Sequence, residues 1–335
     1  MVEPREELWT SSGKVYKSIP ELVDLLRSRG LVIDVDDATI KQFLTGVNYY
    51  RFTGYALPFL QDRETYRAGS VFSDVCAVYA FDRKLRNLFA EALSVIELTF
   101  RTNFARELAK MLGPEAYLVR DAFRPDEYDR AMGMVRADYE QSVERCAQHF
   151  KHQGTYPPIW ALVEVTTFGH LSRLFKALRN EYRSPIAKLY GYDSSKAVCS
   201  LLQHLCVLRN RCAHHSRMYD LPWGQNDEPK DIDIGSEEEG KRRRLYIFSE
   251  LPEWTELKQT GVEIPYFRPL FFQLALVYRF LKATPRAVYD CQEWKKRVSE
   301  FLQNVPQVQA RDVNLRALLH VPNDPMTSKI WRFDD

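Results

Sequence analysis

The chain has 335 residues, 45% apolar and 27% charged, ordinary proportions for a globular protein and enough length for one large domain or two to three small ones. The formal net charge of +2 hides an asymmetry: residues 225–240 hold seven acids against Lys230 alone, so the remainder sums to +8, a mildly basic body that suits a polyanionic partner. The opening MVEPREELWT has no apolar leader, no window reaches the ~18 apolar residues of a membrane span, and six widely spaced cysteines without a CxxC pair read as buried free thiols; a membrane protein and a disulfide scaffold are excluded, and the expected location is cytoplasmic.

Residues 1–17 read as an irregular arm. Ser18-Ile19-Pro20-Glu21 has the form of a helix start, with Ser18 as cap, Pro20 in the first turn and Glu21 closing the box, and the helix is expected to end near Gly30. Asp36 or Asp37 caps a second helix with Ile40, Phe43 and Leu44 on one side. The aromatic stretch GVNYYRFTGYALPFL, interrupted by Gly54 and Pro58, completes an N-terminal helical module at 1–70.

The longest periodic segment, 73–112, carries apolar residues at 81, 85, 88, 92, 95 and 96, joined by 89, 93, 100, 104 and 108. So broad a stripe predicts a helix at the centre of a bundle, ended by Gly113-Pro114. A more polar helix follows over 126–152, then one from Ile159 to about Glu181, then a fourth over 195–216. Four long helices make 72–220 an all-α bundle domain. Residues 221–244 form a charged insert ending in Lys241-Arg242-Arg243-Arg244. Residues 245–335 are a mostly helical C-terminal region, with a short extended piece at 245–251 and helices over 267–281, 289–301 and 313–319.

The densest polar grouping on an apolar helix is LLQHLCVLRNRCAHHSRMYD, 201–220. Projected at ~100° per residue, Leu201, Leu202, Leu205, Leu208 and Cys212 share the core face, and Asn210 and His214 lie one turn apart on the opposite side. Arg209 lies at the edge of the core face, about 140° round from His214; Arg211 and His215 lie at the other edge. Such a cluster is either a structural polar group at a helix end or interface, or a site for phosphodiester cleavage in RNA. For the second, attack by a ribose 2′-hydroxyl needs one group to accept a proton and one to donate, and imidazole serves either role near neutrality. An arginine fork holds the non-bridging oxygens. The scheme needs neither metal nor cofactor, and the adjacent histidines diverge, with no carboxylates at ligand spacing around them. Because Arg209 and His214 point apart on a straight helix, the sites of two copies across a two-fold axis would converge, which argues for a homodimer cutting at its interface.

The stretch LRNRCAHHSRMYD resembles the signature of the Abi-like proteins (the abortive-infection AbiD and AbiF group) of the HEPN superfamily. FLTGVNYYRFTGYALPFL, YAFDRKLRNLFAEALSVIELTFRTNFA and PPIWALVEVTTFGHLSRLF resemble the same family in the same order, so the likeness spans about residues 18–220. It implies a HEPN-like bundle and a metal-independent endoribonuclease of abortive infection, cutting at a dimer interface. The HEPN mark falls on Arg209, Asn210 and His214, with His215 at the longer spacing, and the resemblance implies that Arg209 and His214 are catalytic. Glu97 and Arg101 fit the family's Glu-x-x-x-Arg; the expectation is that Glu97 neutralises and orients a site arginine. Asp82 and Arg83 fit a polar pair expected to pack or bind.

Tyr49, Tyr50 and Arg51, with Asn48 and Tyr55, form an aromatic and basic patch that either packs on the bundle or contacts RNA. Arg211, Arg217, Lys241, Arg242 and Arg243 are further RNA-binding candidates. Where relatives carry an asparagine-like residue after the histidines, this chain has Asp220. The family implies an RNA substrate and restraint by a small structured RNA or a protein antitoxin. The alternative is an RNA-binding protein of a defence or toxin–antitoxin complex that does not cut. No Gly-rich phosphate loop is present.

Overall fold

The computed structural model describes residues 16–219, 270–311 and 313–319. The charged insert 221–244, the extended piece expected at 245–251, and Lys241, Arg242, Arg243 and Asp220 lie outside them. Among the described residues the fold is all-α: pairings outside helices are isolated bridges, Val32 with Val71, Leu60 with Tyr66 and Phe123 with Leu178. Among the described residues no helix is long and apolar enough to cross a membrane. The helices are α1 (Ile19–Ser28), α2 (Asp37–Gly46), α3 (Tyr49–Ala56), α4 (Phe72–Leu112), α5 (Pro125–Gln141), α6 (Arg145–Gln153), α7 (Ile159–Val165), α8 (Phe168–Ala177), α9 (Asn180–Lys188), α10 (Ser195–Ala213), α11 (Leu270–Leu281), α12 (Cys291–Gln303) and α13 (Leu315–Leu318).

Two compact units divide the chain. One runs to Lys84 and takes in Val305–Leu318; the other is built on Leu85–Asn304. In the first, α1 starts on the reciprocal box in which Glu21 accepts from both the amide and the hydroxyl of Ser18, and α2 on Asp36, whose carboxylate accepts from the Thr39 amide at 2.6 Å. Its core is aromatic: Phe52 stacks on Phe72 at 5.1 Å, with Phe43 edge-on to both. Asp82 is fully buried, and the hydroxyl of Tyr55 donates to it at 2.7 Å. Burying a carboxylate without such a donor would cost several kcal/mol, so Tyr55 is as much part of this core as the phenylalanines.

In the second unit α4 supplies the spine. Leu85, Phe89, Ala92, Leu93, Ile96, Phe100, Phe104 and Leu108 are all without solvent exposure. Their 3–4 residue spacing over many turns gives a helix apolar on more than one side, the mark of a central position. Phe100 meets Phe104, Phe168, Phe175 and Tyr190 with ring centroids 5.7–6.1 Å apart; truncating such a ring costs about 3–5 kcal/mol. Helix α4 ends at Gly113, whose φ of +88° is left-handed.

Two long helices expected from periodicity are broken. The span 126–152 divides at 142–144 into α5 and α6. The span 159–181 divides into α7, α8 and the start of α9. The second span first breaks at Thr167, which adopts extended backbone and caps α8, accepting from the His170 amide at 3.3 Å, while its own amide donates to Asp138 at 2.8 Å. Apolar spacing continues through such a cap, so the stripe alone does not reveal it.

Candidate functional site

The site is assembled from α4, α7, α10 and the turn after α10, all within the second unit. Glu97 and Arg101, four residues apart on α4, are each 8% exposed, and Nη2 of Arg101 donates to Oε1 of Glu97 at 2.6 Å. Nη1 of Arg101 donates to the carbonyl of Val163. That carbonyl belongs to the last turn of α7, where a helix leaves its acceptors without internal partners. Arg101 therefore ties α7 to α4 and holds one oxygen of Glu97 in place. The other oxygen, Oε2, accepts from Nε of Arg209 on α10 at 3.2 Å.

Arg209 lies at the rim of this buried group. Its side chain is 45% exposed, and Nη1 donates to Oδ1 of Asn210 at 3.3 Å. The Nε edge is thus fixed by a carboxylate while the outer part of the guanidinium reaches solvent. That is the presentation a phosphate-holding arginine requires: charge held in direction by a buried anion, with donors facing outward.

The histidines lie where α10 stops. Helix was expected to about Ser216, but α10 ends at Ala213, with His214 as its cap (φ −87°, ψ 11°) and the His214 amide on the Asn210 carbonyl at 2.9 Å. His215 has φ +53°, the only non-glycine among the described residues with positive φ. The His215 amide donates to the Cys212 carbonyl at 3.2 Å and the Ser216 amide to the Arg211 carbonyl at 2.9 Å. These two bonds make a Schellman ending in which a histidine stands at the position glycine usually takes. The chain turns out of the helix between the two histidines, so a straight-helix projection does not describe His215. Both histidines are exposed.

The turn is held from α4 by a residue that sequence reasoning missed. Arg86, 5% exposed, donates from Nη1 to the carbonyl of Ser216 at 3.0 Å. The available signal was its position about three turns before Glu97, which puts both on one side of α4. Arg211, on the last turn of α10, is half-buried, and Arg217 stands 5.8 Å from the ring of Tyr219.

Tyr49, Tyr50 and Arg51 begin α3 in the other unit. Tyr50 is 63% exposed and sits edge-on to Tyr49 at 6.1 Å; the Tyr49 hydroxyl accepts from Nη1 of Arg29 at 3.5 Å. Burial raises the Tyr49 hydroxyl above the usual phenol range. Among the described residues no group of three His, Cys, Asp or Glu side chains is placed to hold a metal ion.

A family model described as "Abi-like protein" matches residues 42–220, more than half of the chain and the span containing Glu97, Arg101, Arg209 and both histidines. Neither the curated proteins nor the solved structures give a match.

Proposed function

The chain belongs to the Abi-like protein family, and from that premise we propose that it is a metal-independent HEPN endoribonuclease of abortive infection, acting in the cytoplasm through the bundle at 72–220. The observation that carries this reading is the Glu97-anchored Arg209 on the helix that His214 caps, with the arginine's outer face and both histidines exposed to solvent.

In this reading Arg209 binds the non-bridging oxygens of the scissile phosphate and offsets the charge that builds there. His214 moves protons. As base it takes the proton of the ribose 2′-hydroxyl as that oxygen bonds to phosphorus; as acid it protonates the 5′-oxygen as the P–O5′ bond breaks. A single imidazole does not stand on both sides of phosphorus at once, so the second proton transfer falls to His215 or to the His214 of a second copy. The products are a 2′,3′-cyclic phosphate and a 5′-hydroxyl. Glu97, Arg101 and Asn210 position Arg209. Tyr49, Tyr50, Arg51, Arg211 and Arg217 are proposed RNA contacts.

The homodimer has support near the site. Leu98 and Trp160 are 58% and 54% exposed, and each lies within one turn of the Arg101–Val163 bond that joins α4 to α7. Large apolar side chains beside a polar site are what a partner copy covers. A small structured RNA or a protein antitoxin that covers the same face would restrain the enzyme.

The test is cleavage of labelled total RNA by purified protein in EDTA, comparing the native chain with Arg209→Ala and His214→Ala. The expected result is fragments ending in cyclic phosphate from the native chain and a loss of ~10²–10⁴-fold in either variant. Equal cutting by all three would overturn the assignment. Binding without cutting would move the function to RNA binding.

A further inference from the structure

A cleft of about 720 Å³ opens between α5, α8 and α10. This is within the range of roughly 300–1,000 Å³ of small-molecule sites. One wall is a single stripe of α10: Gln203, Cys206, Val207 and Asn210, spaced by three, one and three residues. The facing wall is α8, with Arg173 exposed and Lys176 half-buried one turn apart. Helix α5 closes the third side with Arg130 and the apolar Ala131 and Met134. Its first turn adds two acids, Asp126 and Glu127, against the three bases Arg130, Arg173 and Lys176 of the lining.

The cleft is continuous with the site described above. Asn210, which lines it, accepts from Arg209 at 3.3 Å. Cys206, one turn before Asn210 on α10, lines the cleft as well. Cations on one wall, carboxamides on the other and an apolar floor are what a nucleotide needs: charge for phosphate, donors and acceptors for a base edge, and apolar surface for the base.

We propose that this cleft holds a nucleotide of the RNA strand next to the bond being cut, Arg173 and Lys176 taking its phosphate and Gln203 meeting its base. The assignment rests on the ribonuclease reading for its substrate, but binding tests it separately. The probe is a labelled single-stranded 2′-O-methyl RNA, which lacks the attacking hydroxyl, followed by fluorescence anisotropy over a salt series. Arg173→Gln with Lys176→Gln is expected to weaken binding roughly tenfold near physiological salt and to reduce the slope of log K against log salt by about 1.4. The charge-keeping exchange Arg173→Lys with Lys176→Arg retains the slope. Val207→Trp, which fills the space beside the α10 wall without changing charge, weakens binding as well.

On RNA that can be cut, Gln203→Ala shifts the base preference beside the cut. Native affinity and slope in both the glutamine pair and the Val207→Trp variant would overturn the proposal, even where Arg209 and His214 prove essential for cutting. Loss of binding in these variants from a chain that never cuts would uphold the cleft and sink the nuclease. Full competition by a free mononucleotide, independent of RNA length, would overturn the strand assignment in favour of a small-molecule site.

Discussion

Oε2 of Glu97 accepts a hydrogen bond from Nε of Arg209 at 3.2 Å, joining residues 112 apart in the chain. Oε1 of the same carboxylate is taken by Arg101. Glu97 is thus a buried anion between two cations, one enclosed and one at the surface. The guanidinium direction at the candidate site is set from inside the fold.

Glu97→Gln is expected to cost about 3 kcal/mol of stability, because it leaves Arg101 as an enclosed charge without its counter-ion. The variant is also expected to lose RNA cutting beyond what its stability explains. Urea titrations and turnover on one preparation check both. A fully stable variant with native turnover would show that Glu97 neither neutralises nor positions Arg209.

His215 occupies left-handed backbone, which costs a non-glycine residue about 1 kcal/mol or more. His215→Gly relieves that strain at some cost in unfolded-chain entropy and is expected to raise stability by up to about 1 kcal/mol; His215→Val is expected to lower it by 1–2 kcal/mol. Denaturation midpoints decide this. A stabilised glycine variant that has lost cutting would mean the histidine is kept at this position for its ring.

Nε2 of His204 is 2.6 Å from Oε1 of Gln273, and burial lowers its pKa to about 4. The folded value lies below the unfolded one, so the unfolded chain takes the proton first. The stability carried by the neutral ring is complete above about pH 6.5 and is lost as pH falls toward 4. The loss is expected to be about 2 kcal/mol, less than the whole shift would give because the ring keeps some contact with solvent. His204→Gln should flatten this part of the pH–stability curve. Parallel curves for the two proteins would show that another group carries the acid sensitivity.

Leu98→Glu and Trp160→Glu are expected to convert a dimer to a monomer in sedimentation equilibrium and to abolish cutting, with native helicity by circular dichroism. A monomer in the native chain at working concentrations would remove the interface from the proposal.

The sequence by itself determined the helical class, the extent of α4 and the residues that form its core, because a stripe repeating every 3–4 residues over ten turns has one way to be buried. It also determined the cap at Ser18 and narrowed that of α2 to Asp36 or Asp37, since a capping interaction is made within four residues. Asn210 and His214, one turn apart, were legible on the same ground. Tertiary structure decided what local spacing does not encode. Thr166-Thr167 breaks an unbroken apolar stripe because the Thr167 amide finds Asp138, 29 residues away. Helix α10 stops before His215, where Arg86 holds the following carbonyl from α4. Arg209 reaches Glu97 through packing of α10 on the unit's spine. A period reports which face of a helix is buried; which charge on another helix that face meets depends on contacts far apart in sequence, and these exist only once the chain has folded.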